Sequence, residues 1–274
     1  MEFHGIGNGV LIILVAIAAA LVLVALGRKL YPKDKLQQAH DLTGNLLSVV
    51  GTLYAVLLGL VVVDALVRFE DAIDVVQEES NALADIFLLA DRLPEPQQGT
   101  IRDACKTYAR QVVDLEWPLM ARGQVSADAR HTAFTLAKSL HGFEPATESQ
   151  KAVYPMIVEQ IRELWDCRRE RAGTATTGIP AIEWFVLIAG AAVTVLFAGL
   201  FSAHSVSLQR FLTALTAVII GLNLYLVSLF GYPFAGELTV SSRPFQVDIA
   251  IFEGRFDAAS APERPPGRSS PDGH

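Results

Sequence analysis

The side chains able to do chemistry are few and scattered. Asp64 precedes Arg68 by four residues, a spacing that pairs opposite charges on a helix. Beyond them Glu70, Asp71, Asp74, Glu78 and Glu79 crowd one stretch, and Asp71, Asp74 and Glu78 share a helical face. Three carboxylates on one face could hold a divalent ion. They also fit a solvated face, or a partner for the basic cluster Arg168, Arg169 and Arg171. The histidines His4, His40, His131, His141, His204 and His274 lack ligand spacing, so no zinc site, metal or cofactor is expected. Cys105 lies on an apolar helix face and reads as a buried free thiol, while a pairing with Cys167 stays open. Gly5, Gly7 and Gly9 precede an apolar run with no strand before them, so they are no phosphate loop. Nucleophile-elbow, P-loop and HExxH patterns are missing, and no enzyme is expected.

The elements that must position these residues follow from composition. The 274 residues are 51% hydrophobic and 19% charged, against about 25% charged in soluble domains. Mean hydropathy is +0.36. The net charge of −7 argues against a nucleic-acid partner. The apolar excess sits in four blocks: Val10–Leu26, Leu46–Val63, Ile182–Ala203 and Phe211–Phe230. A bilayer core needs roughly 20 mostly apolar residues per helix, so each block reads as a membrane span. No Lys or Arg precedes the first block, which reads as a retained span rather than a cleaved signal.

Between the second and third spans the chain turns polar but keeps a helical period. Phe69, Ile73, Val76, Leu83, Phe87 and Ala90 continue the second span as one helix, up to Leu93-Pro94-Glu95-Pro96. Ile101, Cys105, Tyr108 and Val112 mark another helix, ended near Trp117-Pro118. Ser126 can cap a short third helix ending at Gly142, and Thr147 with Gln150 forms a capping box for a fourth, in which Pro155 is expected to kink. The best strand candidate is Leu238–Ile251. The expected class is an all-α integral membrane protein, four transmembrane helices with a polar helical insert between the second and third. It divides into 1–45 (first span and basic loop), 46–67 (second span), 68–178 (polar helical domain), 179–203 (third span), 211–230 (fourth span), 231–256 (post-span segment) and 257–274, a Pro/Ser/Gly-rich tail expected to be disordered.

Short-loop charge gives an orientation. Arg28, Lys29, Lys33 and Lys35 follow the first span, placing that loop inside and the N-terminus and insert outside the cytoplasm. Arg162, Arg168, Arg169 and Arg171 oppose this from the approach to the third span. Small residues recur every fourth position: Gly51, Ala55 and Gly59; Gly190, Thr194, Ala198 and Ser202; Thr213, Ala217 and Gly221. Such stripes let helix backbones approach in lipid, within one chain or between copies. Asn223 is expected to bond across helices or contact a ligand.

The run Leu57-Leu58-Gly59-Leu60-Val61-Val62-Val63-Asp64-Ala65-Leu66-Val67-Arg68-Phe69 resembles the second membrane helix of bestrophins, with matching Gly59-to-Arg68 spacing. More of the chain resembles the bacterial bestrophin-like domain family, a family of unknown function. The matching pieces are residues 51–59, Glu79-Ser80-Asn81-Ala82-Leu83-Ala84-Asp85, Leu93-Pro94-Glu95-Pro96, Glu116-Trp117-Pro118, Arg168-Arg169-Glu170-Arg171, Ile179-Pro180 to Trp184, and Pro233-Phe234-Ala235-Gly236-Glu237-Leu238. Bestrophin resemblance implies a pentameric anion channel with three neck side chains on the second helix, falling here on Thr52, Val56 and Leu60. It also implies a cytosolic polar domain, against the charge count. The departures are plain: the bestrophin neck is bulkier and mostly aromatic, its preceding proline is missing, and of the calcium-gripping acidic run only Glu237 stands nearby.

These readings converge on a homo-oligomer in the lipid bilayer with a candidate pore lined by Thr52, Val56, Leu60 and Asp64; an inorganic anion as permeant is implied by the resemblance alone. The alternative is a non-conducting membrane sensor or scaffold whose insert binds a protein partner. A small-solute transporter is weaker, since internal repeats, broken spans and midplane charges are not evident.

Overall fold

The computed structural model describes residues 4–30, 40–200 and 206–255. Lys33, Lys35, Ser202, His204 and the tail 257–274 lie outside them. The described residues contain no strand and form α1 (His4–Leu30), α2 (His40–Leu89), α3 (Gln97–Gln111), α4 (Trp117–Met120), α5 (Ala127–Lys138), α6 (Glu148–Thr176), α7 (Ala181–Leu200), α8 (Val206–Phe230) and α9 (Arg243–Phe252). Helices α1, α2, α7 and α8 are long and apolar enough to cross a membrane, one per apolar block.

Helix α2 runs through 50 residues without a proline. At 1.5 Å per residue it is about 75 Å long, more than twice the roughly 30 Å of a bilayer core. Its apolar part, 46–63, fits the core, and its remainder continues into the polar domain as unbroken helix. A 3₁₀ turn, Ala90–Arg92, ends it before Leu93-Pro94, where proline disfavours helical geometry at the preceding residue.

The chain forms two compact units, one of residues 1–75, 119–125 and 169–241, the other of 76–118, 126–168 and 242–274. The division runs through α2 and α6 rather than between helices. In the first unit α1 packs on α7 and α8, and α7 on α8. Its core is Ala20, Tyr54, Leu58, Leu187, Ala217 and Val227. Backbones approach where side chains are absent: a Cβ on Gly190 would sit 2.4 Å from the Tyr54 ring, and one on Gly221 would sit 3.3 Å from Ile13 Cα. Tyr54, held there, donates its hydroxyl to the Leu187 carbonyl at 3.0 Å.

In the second unit the buried face of α3 (Ile101, Cys105, Tyr108) leads into a π turn, Val112–Glu116. Tyr108, Val112 and Glu116 are all buried at intervals of four. An α-helix of 3.6 residues per turn would rotate such a set off its face. The wider π turn absorbs the drift and keeps Glu116 inward. Ser126 caps α5, accepting from the Ala129 amide at 3.3 Å. Thr147 and Gln150 bond reciprocally, each at 3.2 Å, at the start of α6. That helix carries Pro155 inside it.

Within the strand candidate Leu238–Ile251 the chain is helical, as the all-α class requires: Arg243–Phe252 is helix α9. Ser242 stands at its N-cap position and Pro244 in its first turn, where a missing N–H loses no helix bond. Phe245, Asp248 and Phe252 turn inward at a helical period. Phe252 stacks on Phe87 at 4.1 Å, and Asp248 accepts the Ser80 hydroxyl at 2.5 Å.

Burial pushes the Asp248 carboxyl up to about 6, against the Ser80 bond, which lowers it. The folded group therefore holds its proton above its unfolded pKa of about 3.9. Its stabilising contribution is fully present below that value and is lost as pH rises through about 6. Thermal unfolding of purified protein between pH 7.5 and pH 5 is expected to show stability rising toward pH 5, with Asp248→Asn flattening that rise.

Candidate functional site

Positions Thr52, Val56, Leu60 and Asp64 fall along one side of α2, and all four are exposed. Val56 is 58% exposed and Leu60 66%. At about 100° per residue, Val56 lies some 200° from both Tyr54 and Leu58, the residues that α2 buries. It is thus the centre of the uncovered arc. Thr52 bonds its own helix, donating to the Ser48 carbonyl at 2.8 Å.

Next to this arc runs the small stripe Gly51, Ala55 and Gly59. A Cβ added at Gly51 or Gly59 would meet nothing within 4 Å, so these glycines are not packed against their own chain, unlike Gly190 and Gly221. They line a groove of about 560 Å³ with Thr194 and Ala198 of α7 and Thr216 of α8, and Asn223 closes it. Thr194 is buried with its hydroxyl unpartnered. Asn223 donates to the Ile219 carbonyl of its own helix at 2.9 Å rather than across helices, which corrects the expected interhelical bond. Thr216 likewise bonds back to Leu212. Thr52, Thr216 and Asn223 thus bond within their own helices, while Tyr54 bonds across to Leu187. Sequence reasoning missed Thr216 and Ser48 as groove residues because their neighbours come from helices distant in sequence.

At the polar end of the span, Asp64 accepts from Arg68 at 2.8 Å, and Glu183 lies 4.0 Å from the same guanidinium. The pairing of Asp71, Asp74 and Glu78 with Arg168, Arg169 and Arg171 is corrected. Asp71 and Asp74 are exposed, and no ion pair joins them to an arginine among the described residues. Arg168 is buried and bonds Glu116 at 2.6 Å, the carboxylate that the π turn points inward, and the Ser126 carbonyl at 3.2 Å. The Ser126 amide also donates to Glu116, at 3.2 Å. Arg171 is buried with Met120 Sδ 3.1 Å away, and Arg169 is exposed. Coulombic attraction is stronger out of water, so the arginine seeks the buried carboxylate over exposed ones. Cys105 and Cys167 are free thiols, both buried.

The family profile of the Bestrophin-like domain matches residues 14–245. The chain belongs to the bestrophin-like family. No curated protein matches it in sequence. Among solved structures, a bacterial bestrophin homologue from Klebsiella pneumoniae is similar at 11% identity over 90% of this chain and 98% of that one, with a TM-score of 0.64. A point variant of such a homologue gives 0.65, over 90% and 99%. This bestrophin-like chain therefore has the bestrophin fold. In this chain Thr52, Val56 and Leu60 are small or aliphatic, and Glu237 accepts a hydrogen bond from Tyr225 at 2.8 Å.

The Glu116–Arg168 pair ties the π turn, the α5 cap and α6 of this bestrophin-like domain together. Glu116→Gln is expected to cost about 3–5 kcal/mol, because it leaves a buried guanidinium uncompensated. Denaturant unfolding in detergent checks this, with exposed Glu159→Gln, in an ordinary surface pair, leaving the unfolding midpoint close to that of wild type.

Proposed function

We propose that this bestrophin-like protein is a homo-oligomeric ion-conducting pore lined by α2. The observation that carries the reading is the uncovered arc centred on Val56, flanked by the Gly51–Ala55–Gly59 stripe and its groove. The glycines offer a close-approach surface that the chain itself does not use. A second copy packed on that groove covers them and turns Thr52, Val56 and Leu60 toward a shared axis. Asp64, Arg68 and Glu183 then sit at the mouth. Preference for anions rests on kinship with bestrophin channels. Calcium gating is not part of the proposal.

Purified protein in planar bilayers is expected to conduct. Leu60→Ala widens the neck and raises single-channel conductance, whereas Thr52→Phe lowers it. Silence of all three proteins across ions and voltages, with an intact oligomer, contradicts the reading and favours a sensor whose polar domain binds a partner. The basic first loop places the C-terminus outside the cytoplasm. A C-terminal alkaline phosphatase fusion is then active and a C-terminal fluorescent-protein fusion dark; the opposite pattern places the polar domain in the cytosol.

A further inference from the structure

The second unit brings three metal-ligating side chains to one point. Glu163 and Cys167 stand one turn apart on α6, and Glu78 reaches them from α2. Cys167 Sγ lies 3.6 Å from Glu163 Oε1 and 4.0 Å from Glu78 Oε2. One donor atom from each of the three lies within 4.8 Å of the others. A tetrahedral zinc, with bonds of about 2.3 Å to sulfur and about 2.1 Å to oxygen, sets those atoms about 3.6 Å apart. The trio is thus close to coordination spacing before any ion enters.

Cys167 is 4% exposed, and its thiol faces the two carboxylates. Arg162 pairs with Glu163 at 4.0 Å while it also reaches Glu159 at 2.6 Å and Asp166 at 3.3 Å, so its charge is shared among three carboxylates. Glu78 is exposed and Glu163 half-buried, so an ion has a route from solvent to the buried sulfur.

We propose that Glu78, Glu163 and Cys167 bind one divalent cation of the zinc class, with water as fourth ligand, clamping α6 to the extension of α2. A thiolate selects zinc, cobalt or cadmium over calcium and magnesium, which take oxygen ligands in larger number. Two oxygens and one sulfur leave the open tetrahedral position of a three-ligand site. In the free protein, burial and then the Glu163, Glu79 and Glu78 carboxylates push the thiol up to about 12. Binding therefore breaks the S–H bond, forms the sulfur–metal bond and releases the proton to solvent.

The test is a titration of chelator-treated full-length protein in detergent with Co²⁺ alone, independent of any conductance. A single equivalent is expected to bind, with a sulfur-to-cobalt charge-transfer band and the intense visible bands of tetrahedral cobalt, both abolished by Zn²⁺. Cys167→Ser removes the charge-transfer band and Cys105→Ser keeps it. Glu78→Gln and Glu163→Gln each weaken binding roughly tenfold or more, since losing a ligand exceeds losing an outer-shell partner. No thiolate band in wild type, a band that survives Cys167→Ser, or unchanged affinity in both glutamine variants overturns the proposal. Should Cys167→Ser not fold, the glutamine variants and Cys105→Ser decide it by the same criteria.

Discussion

One helix has to satisfy two solvents. Over residues 46–63, α2 lies in hydrocarbon, where any backbone group left unbonded is costly; beyond them it is an ordinary amphipathic helix with a buried side in the polar domain. An unbroken 50-residue helix meets both demands without a loop at the membrane surface. The consequence is an imbalance. Tyr54 is held by Leu187 and Gly190 of α7, but only 11% of the most apolar window of this helix is buried within its chain. Whatever covers the rest, lipid or another copy, has to meet a surface of glycines, hydroxyls and one bare arc of aliphatic side chains. The proposed pore follows from that surface.

The polar domain is organised by the opposite rule. It buries charge and pairs it. The π turn brings Glu116 inside, Arg168 comes to meet it, and the Ser126 amide and carbonyl complete the set. Tyr108 bonds the buried Glu79, and Ser80 bonds Asp248. Each bond joins segments far apart in the chain, so they specify how the helices meet rather than adding much net stability.

The sequence was most legible where physics is local. Four apolar blocks gave four spans because bilayer thickness sets their length. Ser126 and the Thr147–Gln150 pair marked helix starts by side chains that reach only three residues. It was less legible where the deciding partner is distant. Short alternation around Leu238–Ile251 hid a helix whose inward residues, Phe245, Asp248 and Phe252, are fixed by Phe87 and Ser80. The charge of Asp71 and Asp74 invited a match with Arg168, but a π turn that no sequence period announces had already supplied Glu116. On α2, helical period alone put Thr52, Val56 and Leu60 on one face; that this face is the uncovered one depends on where α7 and α8 pack. The Glu78–Glu163–Cys167 cluster was invisible because 89 residues separate Glu78 from Cys167.

The central claim is that the uncovered arc of α2 faces water along a shared axis. The most direct measurement is the rate of modification, by a membrane-impermeant thiol reagent, of single cysteines placed at each position from 49 to 64, with Cys105 and Cys167 changed to serine. The account expects fast reaction at positions 52, 56 and 60, protection at 54 and 58, and slow reaction along the Gly51–Ala55–Gly59 stripe where copies meet. Uniform protection of the whole arc, the pattern of a helix facing lipid, would contradict it.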